Sequence, residues 1–197
     1  MPRRPRRAIR QLAASLVALL AMTSDANAVF VTLPNPVPLQ NESINLLRNS
    51  STVDGDEWKL VVFGFSHCRD ICPRSLQTLG LLVGIAASKN IELDGVFVTV
   101  DPDRDTDKVL TRYTAPLGEK ASYLRLEGEV LDRFKDQFGV EAVFYTKNRG
   151  NEFHYQVDHS STAFLIDPNG KIRVVFDALE DVDAAAQMLR EKQDFFE

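Results

Sequence analysis

Two residues of the chain stand out for chemistry: Cys68 and Cys72, its only cysteines, in the stretch "GFSHCRDICPRSL". A thiolate is both a nucleophile and a soft metal ligand. The pair could therefore be a structural disulfide, a redox couple or part of a metal site. Spacing does not choose among these. One helical turn sets residues i and i+4 about 6 Å apart at Cα, and disulfides tolerate about 4.4–6.8 Å. Two sulfurs so placed can also converge on one ion at about 2.3 Å each. As a staple the pair would do little, because so short a loop barely constrains the unfolded chain.

Two thiolates alone leave a metal site incomplete, and the chain has three histidines. His67 directly precedes Cys68 in an extended segment, where neighbouring side chains point to opposite sides. His154 lies in a polar stretch and reads as a solvated side chain. His159, in "YQVDHSSTAFLID", sits just before a buried strand. In a thioredoxin-like sheet the loop before that strand faces the cysteine loop. Thioredoxin-like oxidoreductases keep a cis-proline there, whereas "HSSTAFL" contains none, which favours a metal. Two soft sulfurs and an imidazole suit three-coordinate Cu(I). Cu(II) can be held with an added oxygen ligand, and Zn(II) is the generic competitor.

The elements that must position these residues can be read from the pattern. "WKLVVFGF" is a buried strand leading into the cysteines, and "PRSLQTLGLLVGIAASKN" has helical spacing, with Pro73 at the first helical position and Cys72 about at the N-cap. A helix N-terminus favours a thiolate, and Arg69 and Arg74 add positive charge. "LDGVFVTV" and "SYLRL" are further strands. A helix follows "DPDRDTD", capped by Asp105 or Thr106, and "EVLDRFKDQFG" is a helix closed by Gly139. "TAFLIDPNGKIRVVF" is a β-hairpin turning at "DPNG", and "DVDAAAQMLREKQDF" is a terminal helix. Strands alternating with helices and ending in a hairpin imply an α/β fold: a thioredoxin-like mixed sheet flanked by helices, with a C-terminal β-hairpin and helix. The cysteines then lie at the sheet end where ligands bind.

The ends and the overall charge narrow the class. Residues 1–28 combine five arginines, an 11-residue apolar run and an A-x-A arrangement at Ala26 and Ala28, which reads as a signal peptide cleaved after Ala28. The run is short of the ~20 residues that span a bilayer, so membrane attachment is expected only if this leader stays uncleaved. No other segment reads as apolar enough to cross. The chain is expected to be exported to the periplasm, an oxidising compartment, and to be a monomer. Without the leader, 18 basic and 27 acidic residues remain, a net charge of −9. That excludes nucleic acid as a natural partner, since affinity for it comes from cationic contacts to phosphate. Residues 29–53, rich in Pro, Asn and Ser, read as an extended lead-in with one short hairpin, and residues 54–197 as the domain proper.

The acidic run "DPDRDTD" imitates the start of an EF-hand, but Thr106 stands where glycine is required and Arg112 where the closing glutamate belongs; a turn plus helix cap explains it. Asp158, His159 and Ser160 are sequence neighbours and make no triad.

Taken together, "VVFGFSHCRDICPRSL", "VFVTVDPDRDT" with "LTRY", and "YQVDHSSTAFLIDPNGKI" resemble the Sco/SenC family, thioredoxin-like copper chaperones of cytochrome c oxidase assembly. The resemblance runs from about Asp54 to the last helix. It implies copper, as Cu(I) or Cu(II), held by Cys68, Cys72 and His159. It implies transient contact with a cytochrome c oxidase subunit or another copper chaperone. Asp158 matches a family acid that orients the histidine or meets a partner, and Asp101, Arg104 and Asp105 match a segment of structural role. Arg69 departs from the proline usual after the first cysteine. A thiol–disulfide oxidoreductase with Cys68 and Cys72 as its redox pair, and a redox or copper sensor, are the alternative readings.

Overall fold

A computed structural model describes residues 30–50, 57–69, 71–145, 155–177, 179, 182–191 and 195–196. The expected leader, His154 and the polar loop expected around Asn148 to Asn151 lie outside the described residues. Among the described residues there are eight strands: β1 (Phe30–Pro38), β2 (Trp58–Gly64), β3 (Leu93–Thr99), β4 (Ala121–Leu124), β5 (Ala142–Tyr145), β6 (Gln156–His159), β7 (Ala163–Ile166) and β8 (Lys171–Phe176). The helices are α1 (Asn41–Ser50), α2 (Ile71–Ser88), α3 (Asp107–Thr114), α4 (Gly128–Phe138) and α5 (Val182–Glu191).

Six strands form one sheet in the order β1-β8-β7-β2-β3-β4, while β5 and β6 pair as a separate hairpin. The β2–β3 and β3–β4 pairs are parallel, and β2–β7, β7–β8 and β8–β1 are antiparallel. This is the mixed, helix-flanked α/β sheet that the alternation of elements implies. The central strands β2 and β3 are buried at every position, as their continuous apolar runs require when helices cover both faces. Successive side chains of β2 go to opposite layers. Trp58, Leu60 and Val62 meet Leu76, Leu79 and Leu82 of α2 and Leu189 of α5 in one cluster. Val61, Phe63 and Phe65 meet Leu47 of α1 and Leu131, Phe134 and Phe138 of α4 in the other. Cys72 joins the second cluster although its helix packs in the first.

Three local expectations change. The lead-in is a strand on the sheet edge followed by a helix, not an extended arm with a hairpin. Polar residues are part of what seats that helix: Ser43 is buried and accepts a hydrogen bond from Gln137 Nε2 at 2.7 Å. By length and composition α2 could cross a membrane, with a mean hydropathy of 1.2 over Ile71–Ser88, but its apolar stripe is buried in the core. It also starts earlier than expected, at Ile71, so Cys72 and Pro73 are its second and third residues. Proline fits there because first-turn N–H groups have no intrahelical acceptor.

Two turns follow their sequence. Thr106 caps α3, its Oγ1 accepting from Val109 N at 3.4 Å. The β7–β8 turn is tied by Asp167 Oδ1, which accepts from Asn169 N and Lys171 N, with Gly170 at φ 74°.

Candidate metal centre

Cys68, Cys72 and His159 converge at the C-terminal end of β2. One ligand atom from each lies within 4.8 Å of the other two. Cys72 Sγ and His159 Nε2 lie 3.3 Å apart across 87 residues of sequence. Both cysteines are free thiols, Cys68 partly exposed and Cys72 buried.

Local structure places each group. Cys68 follows the end of β2 in a tight turn, its N–H donating to the Phe65 carbonyl at 3.2 Å. Its Sγ accepts from Cys72 N at 3.4 Å, taking the place of a capping side chain for an orphan N–H of α2. Gly64 lets the strand end come this close. A Cβ there would lie 3.1 Å from Cys72 Sγ and 2.9 Å from Phe97 Cε2.

His159 is the last residue of β6, paired with Ala142, rather than part of a loop. Its Nδ1–H donates to the Ser160 carbonyl at 2.8 Å. That bond sets the tautomer and leaves the Nε2 lone pair directed at the sulfurs. The carbonyl, rather than Asp158, thus orients the ring; Asp158 is exposed on the hairpin opposite Val143. The ring also packs edge-on against Phe65 at 5.6 Å between centroids. An open depression lined by Glu141, Val143, Asp158, His159 and Ser160 exposes this side of the site to solvent.

The electrostatics differ from the expectation of a stabilised thiolate. Burial, followed by the hydrogen bond with Cys68, pushes the Cys72 thiol from 9.0 up to about 12. Burial also holds His159 below its ordinary value of 6.5, so the imidazole is neutral at neutral pH, with its Ser160 contact opposing the shift. A neutral imidazole is the ligating form. A cation entering the site must displace the Cys72 proton, so binding releases protons.

The donor set fits one soft ion. Bond lengths of about 2.3 Å to sulfur and 2.0 Å to nitrogen put ligand atoms of a trigonal site roughly 3.7–4.0 Å apart. The 3.3 Å between Cys72 Sγ and His159 Nε2 and the 4.8 Å limit on the whole set lie within about an ångström of those values, so small side-chain adjustments suffice.

The other candidates fall elsewhere. His67 is largely exposed, bonded to Ser66 Oγ at 3.1 Å and 3.7 Å from Asp105, and is not one of the converging groups. Arg69 is exposed beside the cysteine turn. Asp101 and Asp105 are fully buried. Sequence reasoning missed Gly64, Phe65, Ser66 and Tyr155 around the site. The glycine of "GFSH", at the strand end four residues before the first cysteine, was the one available signal.

Known proteins share this arrangement of elements. A family model described as SCO1/SenC matches residues 45–193. A SCO2-like protein of Rickettsia felis is 38% identical over 136 residues, covering 63% of this chain and 62% of that protein. Mitochondrial SCO1 of Saccharomyces cerevisiae is 36% identical over 118 residues, 58% of this chain and 39% of that protein. The chain thus spans about three fifths or less of the length of these relatives. The structure of yeast Sco1 with copper bound superposes with a TM-score of 0.64 at 27% identity, covering 83% of this chain and 90% of the other. Arabidopsis thaliana ScoI with copper bound gives a TM-score of 0.64 at 24% identity over 81% of this chain and 98% of the other, a likeness of fold.

Proposed function

Because the chain belongs to the SCO1/SenC family, we propose that it binds one copper ion through Cys68, Cys72 and His159 and passes it on during assembly of cytochrome c oxidase. The observation that carries this reading is the convergence of two sulfurs and an imidazole nitrogen within 4.8 Å. That donor set is soft, and it suits Cu(I) in three-coordination. The yeast relative holding copper on the same fold supports the choice of metal.

The site also suits a cargo that must leave. Cys68 and His159 are only partly buried, so a partner's ligands can reach the ion from outside while Cys72 holds it from within. Joining the two metal-bound sulfurs as a disulfide would remove two of the three ligands: two electrons go to an oxidising partner and the ion is released, the thiol protons having already left when the ion bound. The recipient is an oxidase subunit or another copper chaperone, met in a transient complex by this protein as a monomer. Residues 1–28 direct the chain to the periplasm.

Copper titration of the reduced protein tests the reading. The chain binds one ion, and His159→Ala loses most of the affinity and changes the Cu(II) absorption spectrum. Unchanged affinity and spectrum in the variant would sink the assignment. The rival, a thiol–disulfide oxidoreductase, needs both cysteines and not His159. Metal-independent turnover with a partner thiol that survives His159→Ala would favour it.

A further inference from the structure

The metal ligands sit on two separate pieces of the fold. Cys68 and Cys72 follow β2 of the six-stranded sheet, whereas His159 ends β6 of the two-stranded hairpin. Among the described residues no strand pairing joins the two sheets; the three-residue link from His159 to Ala163 of β7 ties them at one point, and side-chain contacts must set the rest of their spacing. The loop from Asp101 to Asp105 lies between them and reaches both.

One arm goes to the cysteine turn. Asp105 Oδ1 accepts from Ser66 Oγ at 2.5 Å, and its two oxygens accept from Ser66 N at 3.2 and 3.0 Å. Ser66 stands two residues before Cys68. The other arm goes to the histidine strand. Tyr155, four residues before His159, donates its hydroxyl to Asp101 Oδ1 at 2.5 Å. Arg104 bonds Asp101 Oδ2 through Nε at 2.5 Å and the Tyr155 carbonyl through Nη1 at 3.0 Å. Its guanidinium lies 3.8 Å over the Tyr155 ring and 5.6 Å from Phe65, which packs on His159.

The loop itself is anchored. Thr99 Oγ1 donates to Asp105 Oδ2 at 2.6 Å and accepts from Asp101 N at 3.0 Å. Arg125 donates to the carbonyls of Asp105 and Pro102 at 2.9 and 3.0 Å. Both carboxylates are fully buried. Buried charge is costly unless paired and fully hydrogen-bonded, and here Ser66 and Tyr155 on the two ligand carriers supply part of those bonds, beside Thr99 and Arg104.

We propose that Asp101, Arg104 and Asp105 form a two-armed bracket, with Ser66 and Tyr155 as its contact points, that sets the distance between the cysteine pair and His159. Asp101 and Asp105 are positioning residues that touch no metal. The inference rests on the metal-binding reading of the site. It differs from a purely structural role in predicting that each arm controls its own ligand.

Tyr155→Phe and Ser66→Ala, each in the full reduced chain, separate the arms. Copper affinity is measured by competition, cysteine placement by the alkylation rate without metal, and histidine placement by the His159 imidazole NMR shifts. Tyr155→Phe is expected to weaken copper binding about tenfold or more, within the range for groups that orient ligands. It should move the imidazole shifts and leave the alkylation rate unchanged. Ser66→Ala should change the alkylation rate and leave the imidazole shifts in place. The bracket is overturned if both variants move every readout together in step with lost thermal stability, or if neither moves any. Should Tyr155→Phe fail to fold, Ser66→Ala alone decides, since the Ser66 amide still bonds Asp105. If the unaltered chain binds no copper, the functional reading falls, while the alkylation and NMR arms still judge the bracket.

Discussion

Replacing Gly64 by alanine puts the packing at the end of β2 to a quantitative test. The added methyl would sit 2.9 Å from Phe97 Cε2 and 3.1 Å from Cys72 Sγ, where ordinary contact begins at 3.4 Å. Phe97 must therefore retreat by about half an ångström and the sulfur by about 0.3 Å. Neither is a free end: Phe97 is fully buried and braced against Tyr113 at 5.4 Å, and Cys72 is 2% exposed. Overpacking of this kind costs about 1–3 kcal/mol. Part of it falls on the sulfur's position relative to His159 Nε2, and each ~1.4 kcal/mol lost there is tenfold in affinity. Denaturant unfolding of the metal-free protein reads the first effect, and copper competition reads the second. Gly84→Ala is the control: nothing lies within 4 Å of a Cβ on this exposed face of α2, and alanine there should stabilise by roughly 0.5–1 kcal/mol. If Gly64→Ala matches the unaltered chain in both stability and copper affinity, the account of the strand end is wrong.

Two further outcomes follow from buried polar groups. Tyr113 and Tyr155 both have hydroxyls raised well above the ordinary value of 10. Burial is the first cause in each, followed by the nearby Cys72 for Tyr113 and the bond to Asp101 for Tyr155. Because the folded value is the higher one, their stabilisation is complete below about pH 10 and is lost as pH rises toward the folded values. Absorbance at 295 nm should show these two ionising late, together with loss of helical circular dichroism, and Tyr155→Phe should remove one late step; early, separate ionisation of both would contradict their burial. Lys59 is buried and bonds Asp94 at 2.7 Å and Glu57 at 3.2 Å. Lys59→Met removes the buried cation that both carboxylates bond and should cost about 3–5 kcal/mol in urea unfolding; a loss below about 1 kcal/mol would show that water reaches the pair.

The parts legible in the sequence are those whose signal is local or chemically rare. The apolar runs of β2 and β3, Gly139 closing α4 and the "DPNG" turn each carry their reason within a few residues. The two cysteines are unique in the chain, and with three histidines to choose from, His159 could be reached from its place before a buried strand. Asp101 and Asp105 were different. As a run they read as a turn and a cap, and their real partners, Tyr155 and Ser66, lie 54 and 39 residues away. Nothing in local spacing marks a buried carboxylate whose acceptors face two distant segments. The α1 helix was missed because a polar residue, Ser43, fills a buried place that periodicity assigns to an apolar one. At Cys72 the helix terminus is visible in sequence, whereas the burial that raises its thiol is not.

The register of the edge strand has a practical consequence. Phe30 pairs with Phe176, Phe176 with Ala163, and Ala163 with Val62. The first described residue therefore stands on the same rim of the sheet as the sulfurs, three strands away. At about 4.8 Å per strand that is roughly 14 Å. Any tether joined ahead of Phe30 sets out from the rim where the ion would be exchanged. A surface or bulky fusion holding that tether close would stand over the entrance, so the length of the tether governs how large a partner can approach.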